Sequence, residues 1–448
     1  MSNRIGFKEL IYYSSPVCIQ NLLCCIKGYF IRKRRYSQEF MQHLRQYESR
    51  AFDGQEELRK FLQNIAEVPY YRHLYKENDF NPNAENLQEE IKKLPVLTRA
   101  EVIANKQKII NPHFKKAVIL SSTGGTTGAG LEFPLSIEAE HKQWAVCWRY
   151  RENLGIKWDT WHGWFGGKII IPVHKHKPPF WRINYPCKQV MFSSLHLSEE
   201  TVVLFHKCIC EKKLSWLHGY SCNLNLLAVL ILKMGLNPIY TVTHVTTGSD
   251  NLLDSYRETI KKVFPNAQVH THYAMSECVA NISETKDGKM FVDEDFAYME
   301  LLPFDNNKPH LRKIIGTGFV NYAFPLVRYD TGDVAAIDYD DNGKMYITRI
   351  EGREAEYLKL PNGQKIGVTF IDNFESFKKI KAAQIYQPDI NTLIIRVERN
   401  ADYDLDEERD IIKEIEGRLS CPMNIKVEYV DKIERTKSGK LRLIISDF

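Results

Sequence analysis

Hydrophobic and polar positions along this chain fall into two rhythms. From about residue 40 to 320, helical and strand patterns alternate, which is the signature of an α/β domain. A helix is expected from Ser221 to Met234: Ser221 can cap it, Leu224, Leu227, Leu230, Ile231 and Met234 form one stripe, and Gly235 stops it. Apolar runs predict strands at Lys168 to Val173, Tyr240 to Thr246 and Gln268 to His272, and Ala117 to Leu120 reads as a further, buried strand. Three polar segments follow these runs: Ser121 to Glu132, Thr247-Gly248-Ser249-Asp250 and Tyr273-Ala274-Met275-Ser276-Glu277. Ligands of open α/β sheets collect beyond the carboxyl ends of strands, so all three are expected to meet at one crevice.

The last hundred residues have a different style. Alternation at Thr392 to Glu398 and Asn424 to Val430 predicts two strands. Between them, Asp404-Leu405-Asp406-Glu407 opens a helix whose inner face carries Ile411, Ile412, Ile415 and Leu419. The expected architecture is α/β: a large N-terminal domain, residues 1–350, with β-sheets packed against helices, and a small mobile α+β C-terminal domain, residues 351–448. The joint falls in Arg349-Ile350-Glu351-Gly352-Arg353-Glu354, and a length of 448 residues agrees with more than one core.

Composition narrows the function classes. A 44% hydrophobic content supports a large interior, and a net charge of +5 is too mild to demand a nucleic acid partner, though it suits an anionic small molecule. The ten cysteines show no C-x-x-C pair, which points to a reducing, cytoplasmic compartment. Residues Leu10 to Ile31 are apolar but interrupted by Gln20, Asn21 and Lys27, and Arg32-Lys33-Arg34-Arg35 follows. That pattern is too broken for a spanning helix. It fits a helix packed on the domain or, as the alternative, peripheral contact with an anionic membrane through the basic N-terminus.

Chemistry concentrates in Ser121 to Gly130, where four glycines and five hydroxyl residues occur together. Glycine lets backbone N–H groups turn toward an anion, and Ser and Thr hydroxyls add donors for phosphate oxygens. A Walker loop is excluded, because Leu131 and Glu132 stand where Lys and Ser/Thr would follow the second glycine. Taken alone, the run equally fits a plain surface loop. Further polar segments are Arg328-Tyr329-Asp330-Thr331-Gly332-Asp333, Gly352-Arg353 and Arg435-Thr436-Lys437-Ser438-Gly439-Lys440, and each is common by itself.

Their order is specific. A Gly-rich loop, then Tyr-x-x-Ser-Glu, Thr-Gly-Asp, Gly-Arg and a C-terminal Ser-Gly-Lys resembles the motif series of the adenylate-forming enzymes: acyl-CoA synthetases, adenylation domains and luciferases. Trp164-Phe165-Gly166-Gly167-Lys168, Pro178-Pro179-Phe180-Trp181-Arg182, Phe192-Ser193-Ser194-Leu195-His196-Leu197 and His218-Gly219-Tyr220 make the chain look most like the phenylacetate-CoA ligase branch, and within it the capsular polysaccharide biosynthesis members of the CapK type. The resemblance implies a ligase that uses ATP and Mg²⁺ to activate a carboxylic acid as an acyl adenylate. Transfer to a thiol, that of coenzyme A or of a carrier, or to an amine would follow.

The resemblance also implies roles. Ser122, Thr123, Gly124, Gly125, Thr126, Thr127 and Gly128 would hold the ATP phosphates. Tyr273 would stack on adenine with Gly248 and Ser249 across from it, and Ser276 would sit in the same nucleotide site. Asp333 would accept both ribose hydroxyls, Arg353 would contact ribose or phosphate, and Glu277 would bind Mg²⁺. Lys440 would bridge the acyl carboxylate and the α-phosphate, with Lys440 and Glu277 as the catalytic pair. Departures are Ala274 for a usual glycine, Thr271 for a frequent acid, Ala355 for the hinge acid, and Glu434 for a proline.

The acid pocket is less legible. Trp161, Trp164, Phe165, Phe180 and Trp181 fit either an acyl pocket or core. Arg182 is a candidate for a second anionic group on the substrate, and His174 with His176 reads as surface, not as a metal site. Two rival readings are a degenerate nucleotide-binding scaffold, which would bind ATP without forming AMP, and a peripheral membrane component of a polysaccharide assembly.

Overall fold

The computed structural model describes residues 7–49, 53–123, 131–172, 175–305, 308–353, 358–361, 365–366, 379–400, 403–419, 422–434, 442 and 444–447. Strands β1 (Val118–Ser122) and β2 (Glu132–Ser136) form a separate antiparallel pair. A twelve-stranded sheet is built from β3 (His162–Phe165), β4 (Trp181–Asn184), β5 (Gln189–Phe192), β6 (Trp216–Gly219), β7 (His244–Gly248), β8 (Gln268–Ala274), β9 (Asn281–Glu284), β10 (Met290–Val292), β11 (Tyr298–Pro303), β12 (Leu311–Gly318), β13 (Leu326–Tyr339) and β14 (Met345–Arg353). Its order is β11-β12-β13-β14-β10-β9-β8-β7-β6-β3-β5-β4. The run β8-β7-β6-β3-β5 is parallel, and the half beyond β8 is antiparallel.

Helices Val202–Glu211, Ser221–Lys233 and Asp254–Val263 cover one face of the parallel part, where Phe165, Leu217, Val245 and Val269 are buried among Phe205, Leu224, Leu227, Ile260 and Phe264. Gly163 lies on this face because a Cβ there would come within 2.8 Å of Leu217 and 3.0 Å of Phe192. The helix Ile137–Asn153, with nine of its 17 residues buried, packs on the other side in a second core that includes Trp148 and Trp216. From Leu358 onward a third core forms around a four-stranded sheet and the helix Leu405–Arg418, which Asp404 caps by accepting from the Glu407 N–H.

Three sequence expectations require correction. Lys168 to Pro172 is not a strand; the strand is β3, and Gly166 turns the chain where the Trp164 ring occupies the space a Cβ would need. Val173 lies outside the described residues. The strand expected from Tyr240 begins only at His244. β1 is not buried, since Val118 is 47% and Leu120 73% exposed in a hairpin that stands apart from the large sheet.

The N-terminal helix Val17–Arg35 packs on the domain. Its Asn21 accepts from the Ile183 N–H, Arg34 makes two 2.8 Å hydrogen bonds to Glu140, and Arg32 pairs with Asp159. Ile19, Leu22, Ile26, Tyr29 and Phe30 remain exposed along it.

Candidate active site

The carboxyl ends of β7 and β8 bring the expected nucleotide residues together. Gly248 is in register with His272, so it lies beside the residue before Tyr273, and Ser249 follows in a left-handed conformation with φ 71°. The Tyr273 hydroxyl donates to Asp333 Oδ2 at 2.7 Å, across 60 residues of sequence. Burial and the Asp333 charge push the Tyr273 phenol well above its ordinary range, so it stays a donor. Asp333 is positioned by a turn in which its N–H donates to Thr331 Oγ1, while Gly332 adopts φ 71°. Asp333 is also directly opposite Arg353 in the β13–β14 ladder, which places that arginine's backbone next to the same crevice.

Glu277 sits on the turn after β8. It is buried, and it lies near enough to Tyr273 for its charge to raise the phenol's pKa. Two devices hold this turn. The Gln143 amide donates to the Met275 carbonyl at 2.9 Å, and Gly316 and Gly318 of β12 admit the backbone of Cys278 and Val279, where any Cβ would come within 2.3 Å of a carbonyl oxygen. Ser276 is exposed on the same turn.

The Gly-rich segment hangs from the β1–β2 hairpin. Ser122 pairs with Glu132, and Thr123 closes the base through its N–H to the Leu131 carbonyl and its Oγ1 from the Leu131 N–H, both at 3.0 Å. Arg99 donates to the same Thr123 hydroxyl. Gly124, Gly125, Thr126, Thr127 and Gly128 lie outside the described residues, as do Lys440 and Ala355. Gly352, within the expected joint, is laddered opposite Val334.

Of the aromatic residues that fit either an acyl pocket or core, the structure favours core. Phe165 and Phe180 are core, and Trp161, Trp164 and Trp181 pack against it. Arg182 is not available for a substrate anion: it is buried, and its donors go to Gln20 and to the carbonyls of Pro179 and Trp181. His176 is exposed and His174 lies outside the described residues, among which no cluster of three metal-ligating side chains occurs.

Sequence reasoning missed a polar layer between helix Ile137–Asn153 and the parallel strands. By alternation, His162, Trp216, His218, Thr246, His270 and His272 share one sheet face, opposite Phe165, Leu217, Val245 and Val269. Trp216 and His218 both bond to the Thr246 hydroxyl, at 2.8 and 2.9 Å. Tyr150 stacks on His272 with ring centroids 4.8 Å apart. The Arg151 guanidinium lies 4.9 Å from the Trp148 ring, 5.0 Å from Trp216 and 5.6 Å from Trp144. Burial, then the Arg151 charge, lowers His162 and His272 to about 3. The available signal was the repeated alternation His162-Gly-Trp164, Trp216-Leu-His218 and His270-Thr-His272, where a strand packed only for filling would carry aliphatic residues.

Mg²⁺ keeps several waters and takes much of its coordination from substrate phosphates, so one protein carboxylate suits it. Glu277 is a donor of that kind. Among the described residues no helix is long and apolar enough to cross a membrane.

Known proteins agree with this architecture. Residues 358–447 match the CapK C-terminal domain family. Protein CapK of Staphylococcus aureus is 27% identical over 456 residues, spanning 98% of this chain and 99% of that protein. Among solved structures, 2-hydroxyisobutyryl-CoA ligase in its postadenylation state with R3-HIB-AMP superposes with a TM-score of 0.65 at 14% identity, covering 88% of this chain and 89% of that one. The anthranilate CoA ligase AuaEII with anthranoyl-AMP gives a TM-score of 0.50 at 12% identity, covering 84% and 79%. The fold is therefore that of the adenylate-forming ligases, and the expected resemblance to that superfamily and its CapK-type branch is met.

Proposed function

We propose, from the adenylate-forming ligase fold and the full-length likeness to CapK, that this protein is an ATP-dependent ligase that converts a carboxylic acid to an acyl adenylate and passes the acyl group to a thiol or amine. The observation that carries the reading is the convergence of Tyr273, Asp333, Glu277, Gly248 and the Arg353 backbone where the carboxyl ends of β7, β8 and β14 meet the middle of β13. These residues are far apart in sequence, and a nucleotide gives them a common task.

Adenylation brings two anions together, the substrate carboxylate and the α-phosphate, so neutralising charge is the first requirement. In this reading Asp333 accepts the ribose hydroxyls, Tyr273 stacks on adenine beside Gly248 and Ser249, and Arg353 meets ribose or phosphate. Glu277 holds Mg²⁺, which supplies charge neutralisation for the departing pyrophosphate. The segment from Ser122 to Gly128 orients the phosphates, and Ser276 completes the rim. Lys440 brings an ammonium to the transferring group, where it is worth most in the transition state. The second step, transfer to coenzyme A, a carrier thiol or an amine, requires the C-terminal domain to swing. The setting in surface polysaccharide assembly follows from the resemblance to the CapK-type branch.

Pyrophosphate exchange against a panel of aryl, fatty, amino and sugar acids, with and without coenzyme A, tests the reading. Exchange with at least one acid is expected, and Lys440→Ala should lower it by about 10²–10³-fold while ATP still binds. Binding of ATP with no AMP formed from any acid would favour the scaffold reading.

We place the protein in the cytoplasm. Surface contact with a membrane is a second reading, favoured only by the exposed Ile19, Leu22, Ile26, Tyr29 and Phe30, because Arg32, Arg34 and Arg35 already face Asp159 and Glu140. A membrane fraction that retains none of the protein would overturn it.

A further inference from the structure

We infer that the acid this protein activates carries a second anionic group, held by Arg151 in the box between helix Ile137–Asn153 and strands β3, β6, β7 and β8. The inference rests on the adenylation reading, because the box lies on the strands whose carboxyl ends carry Gly248 and Tyr273.

Arg151 is 5% exposed, and among the described residues its guanidinium makes no hydrogen bond and no ion pair. A buried charge without a partner is costly, and arginine meets that cost by a carboxylate, a phosphate or a comparable anion. Its neighbours do not supply one. Trp144, Trp148 and Trp216 present ring faces, and His162, His218 and His272 are held neutral by burial and by Arg151 itself. Indole faces offset part of the charge but accept no N–H hydrogen bond in the guanidinium plane.

Other buried polar atoms of the layer also lack partners: the Tyr150 hydroxyl and His272 Nε2, each on a side chain that stacks on the other. Unsatisfied donors and acceptors gathered around an unpaired cation form a lining for a polar guest. An uncharged fatty or aryl acid would leave these groups unpaired; a dianionic acid would satisfy them. Planar guanidinium geometry favours a carboxylate, sulfonate or phosphonate as the second group.

The test compares succinate, glutarate, adipate, 3-sulfopropionate and 3-phosphonopropionate with the monomethyl esters of the three dicarboxylates. Pyrophosphate exchange by the wild type is expected to favour at least one dianion over its uncharged match by about 100-fold or more in kcat/KM. Arg151→Gln should erase that preference with KM for ATP unchanged, and Arg151→Lys should restore part of it. Thermal shift with the same acids reads the box without turnover: a dianion that raises Tm of the wild type but not of Arg151→Gln sustains the anion site at Arg151 even if no exchange occurs, a result that would sink the adenylation reading and leave the site as one for a bound dianion. Equal response to charged and uncharged acids, or no thermal shift from any dianion, overturns it.

Discussion

The two faces of the parallel strands differ by a single step along the chain and by everything in their chemistry. Phe165, Leu217, Val245 and Val269 face three amphipathic helices and form an aliphatic core. One position away on the same strands, His162, Trp216, His218 and His272 face helix Ile137–Asn153 with aromatic and hydrogen-bonding groups. The first face needs only matched volume, which burial of apolar area stabilises. The second keeps polar groups out of water, a cost that a core built for stability alone would avoid. Apolar packing and buried polar chemistry are divided between the two sides of one sheet.

That division is open to direct attack. Leu217→Ala should remove about 2–5 kcal/mol of unfolding free energy, read by urea denaturation, because it leaves a cavity among fully buried side chains. ATP binding per folded molecule should stay unchanged, and a parallel loss of both would show that the faces are not independent. Gly163→Ala overpacks the same face against Leu217 and Phe192, with an expected cost of about 1–3 kcal/mol in the same assay. A neutral result would mean the aliphatic side has room to spare.

The polar face should respond to acid instead. His162 and His272 titrate at about 3 in the folded protein, against 6.5 for the free side chain. Between those values the unfolded chain binds protons that the folded one refuses, so stability is complete above about pH 6.5 and falls as pH drops toward 3. Each histidine should contribute a slope of about 1.4 kcal/mol per pH unit inside that window. His162→Gln should flatten the slope measured by denaturation at a series of pH values, whereas an unchanged slope would assign the acid sensitivity to other groups.

How much of this was legible in the sequence varies with how local the signal is. The helix Ser221–Lys233 and the cap at Asp404 appeared nearly as expected, because stripe, cap and stop are short-range, but Ser221 does not cap its helix: Tyr220 holds the cap position, and the Ser221 hydroxyl donates to the Asn251 carbonyl. Strand Asn424–Val430 also appeared as expected. The expected strand at Lys168 failed because apolar content does not reveal a glycine pair that turns the chain, and β1 was expected to be buried because an apolar run looks alike in a sheet centre and in an exposed hairpin. From its sequence setting Arg182 is a candidate for a second anionic group on the substrate. Arg182 stands among aromatic residues in sequence, yet its donors are consumed by Gln20 and by carbonyls, while Arg151, inconspicuous in the sequence, is the one left without an anion.

By itself, the sequence determined the α/β class, the ordered series of motif segments and the residue types available for phosphate, ribose and metal, because turn chemistry, periodicity and functional groups are properties of short stretches. Only the tertiary structure decided which of those groups share a crevice and which arginine is already satisfied. Tyr273 meets Asp333, and Arg151 meets three indoles, through strand order and helix packing. The pairing of partners dozens of residues apart is set by the whole sheet, and no local window contains it.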